Sequence, residues 1–81
     1  MNIYLLSQDI NSGDGTYDSC VVYAASAADA QQTHPHSYSQ YYDTWQSCNW
    51  ADRPDQVVVK LIGVADATEL AGIVCASYNG R

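Results

Sequence analysis

Apolar and polar residues along this chain change rhythm several times, and each change marks an element. Residues 2–7 (NIYLLS) are a short, nearly continuous apolar run and predict a buried strand. Residues 8–18 (QDINSGDGTYD) are polar, with two Gly and three Asp, and predict a loop. Residues 19–25 (SCVVYAA) are β-branched and aromatic at their centre and predict a second strand, paired with the first as a hairpin. The connection is longer than an ordinary hairpin turn.

Ser26 then stands where a helix N-cap belongs, with Asp29 three residues on, near the positive end of the helix. The Ala-rich helix over residues 27–33 must stop before Pro35. Ser37 and Gln40 have capping-box spacing, and Tyr38, Tyr41, Tyr42, Trp45 and Cys48 follow at helical intervals, so a second short helix is expected. Residues 51–55 (ADRPD) form a turn. Residues 56–65 hold Val57, Val58, Val59, Leu61, Ile62 and Val64, and give the strongest strand signal in the chain. A turn over residues 66–70 leads to a last strand over residues 72–78.

The order β-β-α-(α)-β-β predicts an α+β fold. It consists of one domain over residues 1–81, with an antiparallel sheet of about four strands and one or two short helices on one face. A curled, barrel-like sheet is the alternative.

Charge narrows the partners. Nine acidic residues stand against three basic ones, for a net charge of −6. Arg53, Lys60 and Arg81 are too few to neutralise a run of phosphates, so direct nucleic-acid binding is not expected. An acidic field favours a partner with a basic surface. No stretch approaches the ~20 apolar residues of a membrane helix, and the first residues lack the pattern of a signal peptide. Cys20, Cys48 and Cys75 are odd in number and without a C-x-x-C, which fits reduced thiols and a cytoplasmic location. Cys20 and Cys75, set among apolar strand residues, are both expected to be buried; Cys48 is expected to be the reactive thiol.

Sites of chemistry are sparse. The loop over residues 9–18 alternates Asp and Asn with Gly, as calcium loops do. With Asp9 first and Asn11 third, however, Asp14 stands where the sharp-turn Gly belongs and Cys20 where the bidentate Glu belongs. His34, His36 and Cys48 lack a fourth zinc ligand at usable spacing. No cofactor, metal site or catalytic set is therefore expected. The Tyr- and Trp-rich segment from Tyr38 to Trp50 has two readings. A domain with no Phe needs Tyr and Trp for its core, while Tyr and Trp among Ser and Asn are also the composition of binding surfaces. Five rings are more than one short helix face can bury. The expected contact set therefore joins the loop to this segment: Asp9, Asp14, Tyr17, Asp18, Tyr41, Tyr42, Trp45 and Trp50. The second place for a site is an exposed edge strand over residues 57–62.

Ile3-Tyr4-Leu5-Leu6-Ser7-Gln8-Asp9 and Thr16-Tyr17-Asp18-Ser19-Cys20-Val21-Val22, with Ala30 and His34-Pro35, resemble a group of small uncharacterised proteins of bacteriophages and bacterial mobile elements. Gly63-Val64-Ala65 and residues 72–79 extend the resemblance over most of the chain. The chain departs from that group at Gly13-Asp14-Gly15 and in the Tyr-rich stretch. The resemblance implies a non-enzymatic accessory protein in the cytoplasm of a bacterial host, one that binds and inhibits a host protein such as a CRISPR or other defence component. A homodimer is compatible with that role. The alternative is an oligomer that sequesters a nucleotide signal by stacking its base on Tyr or Trp. Three basic residues are a thin supply for its phosphates.

Overall fold

The computed structural model describes residues 1–35, 50–66 and 72–79. Four strands form one antiparallel sheet: β1 (Asn2–Ser7), β2 (Thr16–Ala24), β3 (Val58–Val64) and β4 (Gly72–Asn79). Their spatial order is β3-β1-β2-β4, so the first hairpin is the centre of the sheet and the last two strands are its edges. The single α-helix among the described residues, α1 (Ala27–Gln31), packs against β1, β2 and β3. The sheet and the helix on it were legible in the pattern. The second helix expected over residues 38–48 lies outside the described residues, as does the turn over residues 67–70.

The middle strands carry the core because they have neighbours on both sides. Register places Tyr4 opposite Val22 and Leu6 opposite Cys20. All four are buried, together with Ala24, Ala30, Trp50, Ala51 and Val57. Period-two alternation explains the choice: along β2, Cys20, Val22 and Ala24 are buried, and Val21 and Tyr23 between them are only half-buried. Burying a large aliphatic side chain contributes about 1.5–3 kcal/mol. The core is small because one layer of the sheet supplies most of it.

Helix α1 begins where expected. Ser26 Oγ accepts from the Asp29 backbone N–H at 3.2 Å. The helix ends two residues earlier than the pattern suggested, at Gln31, and Thr33 N–H closes the turn onto the Ala30 carbonyl at 2.9 Å. Ala30 is its one buried residue, so a small side chain lets the helix backbone approach the sheet closely. The turn before β3 contains a short 3-10 segment (Pro54–Gln56), with Gln56 Oε1 accepting from Arg53 N–H at 3.1 Å.

Two expectations need correction. Trp50, placed among the contact residues, is fully buried, and its ring is T-shaped to that of His34, with centroids 6.4 Å apart. In a chain without Phe, this Trp is the largest fully buried side chain among the described residues. Cys75 is exposed, whereas Cys20 is buried as expected. The reason is topological: β4 is an edge strand, and Cys75 lies opposite half-buried Val21 rather than opposite a core residue.

Candidate functional surface

Gln8 organises the β1–β2 connection. Its side chain is buried and uses both ends. Oε1 accepts from the backbone N–H of Ile10 (2.9 Å) and of Asn11 (3.0 Å). Nε2 donates to the carbonyls of Asn11 (2.8 Å) and Tyr17 (2.7 Å). One side chain thus replaces the ladder that the loop backbone lacks. Gly13 and Gly15, with φ of 113° and 84°, take the conformations other residues resist. Strand β2 starts three residues earlier than its pattern suggested, at Thr16. Its register there is fixed by Thr16 Oγ1 donating to the Gly13 carbonyl (2.7 Å) and by Gly15 N–H donating to the Asn79 carbonyl.

The loop is tied sideways as well. Asn11 Nδ2 donates to the Trp50 carbonyl at 2.6 Å and to Asp52 Oδ1 at 3.0 Å. Asn79 Nδ2 donates to Asp18 Oδ1 at 2.9 Å. Asp52 and Asp18 are thereby held at the end of the sheet where the β1–β2 connection carries Asp9 and Asp14, and all four are exposed. Arg53 stands near them but is engaged by Asp55 at 3.3 Å, an exposed pair of little energetic weight. Tyr17 is half-buried and pairs with exposed Tyr78, ring centroids 4.8 Å apart. Of the expected contact residues, then, Asp9, Asp14, Asp18 and Tyr17 are together at the hairpin end, and Trp50 lies beneath them in the core. Tyr41, Tyr42 and Trp45 fall outside the described residues.

The surface that sequence reasoning ranked second is the more conspicuous. Strand β3 exposes Val58, Leu61, Ile62 and Val64, at 62%, 56%, 49% and 74%. They emerge on both faces: Val58 lies opposite Ser7, and Leu61 opposite core residue Tyr4. A bulge between Ile3 and Tyr4 adds Ile62 to the edge. Lys60, opposite Leu5, is the strand's one charge. A shallow, open depression of about 250 Å³, lined by Ser7, Gln8, Asp9 and Val58, joins the start of β3 to the acidic end. The sequence offered residues 57–62 as an exposed edge strand only in second place, since nothing local tells an edge strand from a central one; the order β3-β1-β2-β4 makes β3 an edge.

Buried Cys20 has its thiol pKa pushed up to about 12, first by desolvation and second by neighbouring Cys75. Cys20 is therefore a neutral packing group at physiological pH. Among the described residues no cluster of three or more His, Cys, Asp or Glu is arranged to hold a metal ion. No helix among them is long and apolar enough to cross a membrane. Searches of family models, curated proteins and solved structures return no match to the chain.

Proposed function

We propose that the chain is a non-catalytic binding module that engages a basic surface of another protein through β3 and the adjoining acidic hairpin end. The observation that carries this reading is the row of exposed aliphatic side chains on β3, continuous through Val58 with Asp9. A row of large aliphatic residues on an open edge is a recurrent mark of protein contact, by strand addition or by burial in a partner's groove. The acids steer encounter and set the sign of the partner, while the apolar anchors supply most of the affinity. The resemblance to proteins of bacteriophages and mobile elements favours a bacterial host protein as the partner, defence components included, with inhibition as the outcome of binding.

The test is affinity capture from bacterial lysate with three baits: the native chain, Val58→Lys/Ile62→Lys, and Asp9→Asn/Asp14→Asn. The reading requires a protein held by the first, lost from the second and weakened with the third, while circular dichroism of all three coincides. Equal capture by the β3 variant places the site elsewhere.

A further inference from the structure

The chain has four Asn, at positions 2, 11, 49 and 79, followed by Ile3, Ser12, Trp50 and Gly80. An Asn loses its amide when the next peptide nitrogen closes on its side-chain carbonyl carbon. A Cβ on the next residue crowds that approach, and Gly has none. Asn79 is therefore the most reactive of the four amides by sequence. It is also the residue that ties the end of β4 to the acidic hairpin end. Its Nδ2 donates to Asp18 Oδ1 at 2.9 Å and to Thr16 Oγ1 at 3.4 Å, and its backbone carbonyl accepts from Gly15 N–H.

We propose that Asn79 is a site of spontaneous deamidation, and that the reaction unties the end of β4 from the acidic loop. The deprotonated backbone nitrogen of Gly80 attacks Asn79 Cγ. The N–Cγ bond forms, the Cγ–Nδ2 bond breaks and ammonia leaves, giving a five-membered succinimide. Water opens the ring at either carbonyl and leaves an aspartyl or β-linked isoaspartyl residue. The sum is one water in and one ammonia out. The fold gates the first step. Ring closure swings Cγ towards the following nitrogen, so Nδ2 must first leave Asp18 and Thr16. Asn79 is the last residue of an edge strand, where local opening costs far less than global unfolding. The fold also sets the consequence. In the native chain an N–H meets the Asp18 carboxylate; in the product a second carboxylate stands there, and neither group has a proton to donate. Two like charges at that distance repel, so the strand end does not re-dock. The acidic end gains one negative charge on the native net of −6. Ammonia is lost to solvent, so the change accumulates with the age of the protein.

This inference is independent of the reading of β3 and needs no partner to test. The native chain is aged in mildly alkaline buffer and mapped peptide by peptide by mass spectrometry. Conversion is expected at Asn79 ahead of Asn2, Asn11 and Asn49, in both product forms. It is expected to run severalfold faster in folded Asp18→Ala, and in the native chain unfolded by urea. Amide hydrogen exchange reads the consequence. Asn79→Asp is expected to speed exchange at the Gly15 amide while Leu6 and Val22 in the core stay protected. Asp18→Asn/Asn79→Asp restores the bond with donor and acceptor exchanged, and is expected to recover the Gly15 protection. An aged chain intact at Asn79, or converted first at another Asn, overturns the site. Equal rates in the native chain, Asp18→Ala and urea overturn the gate. A Gly15 amide as protected in Asn79→Asp as in the native chain overturns the untying.

Discussion

Asn11 and Trp50 are joined across the chain, the Asn11 side-chain amide donating to the Trp50 carbonyl oxygen at 2.6 Å. The bond locks the acidic loop to the core, because Trp50 is itself fully buried. It makes the loop's position a property of the fold rather than of the loop's own turns.

Asn11→Ala removes this bond and the one to Asp52. The Trp50 carbonyl then loses its donor, at a cost of about 1–3 kcal/mol. Urea denaturation should show a lower midpoint with an unchanged slope. A variant as stable as the native chain would mean that the tie contributes nothing.

Trp50→Ala should destabilise by about 3–5 kcal/mol, the range for emptying a large aromatic site. That is most of the stability of a small domain. Trp50→Phe should be much milder. It keeps most of the ring volume and removes an indole N–H that has no hydrogen-bond partner. Thermal melts of the pair separate packing from polar satisfaction. Similar melting temperatures for the two variants would contradict the assignment of Trp50 to the core.

Cys20 makes stability pH-dependent on the alkaline side. Its folded pKa, about 12, lies above the ordinary value of 9.0. The folded state therefore holds the proton that the unfolded state releases. The contribution is complete below pH 9 and declines as pH rises toward 12, with a limiting slope of about 1.4 kcal/mol per pH unit. Between pH 9 and 10.5, Cys20→Ala should lose less stability than the native chain. Thiol labelling at neutral pH should modify Cys75 rapidly and Cys20 only on unfolding. Parallel stability curves for the two proteins would remove Cys20 as the cause.

Asp9→Asn/Asp14→Asn should slow association with a captured partner severalfold and flatten its dependence on salt, with little change in dissociation. Stopped-flow or surface-based kinetics at two ionic strengths reads this directly. An effect confined to dissociation would assign the two acids to direct contact rather than steering.

The sheet was readable because its signals are local. Period-two burial along residues 16–24, the Ser26 cap and the Gly-rich connection each state their element within a few residues. What escaped depends on partners far along the chain. Val58, Leu61, Ile62 and Val64 have the composition of a core strand, so an exposed edge over residues 57–62 ranked only second, and β3's place outside β1 turns them to the surface. Cys75 escaped for the same reason on the other edge. Trp50 escaped because the core it joins is built from β1, β2 and α1, far away in sequence. Gln8, the organiser of the loop, looks in sequence like any polar residue after a strand.

The most direct test of the proposed binding surface is amide hydrogen exchange on the chain alone and in complex with a protein it captures. The edge-facing amides of β3 (Val58–Val64) should gain strong protection on binding, together with residues 8–10 beside Val58, while central strands β1 and β2 change little. Protection that falls outside β3, with its amides exchanging as in the free chain, would contradict the account.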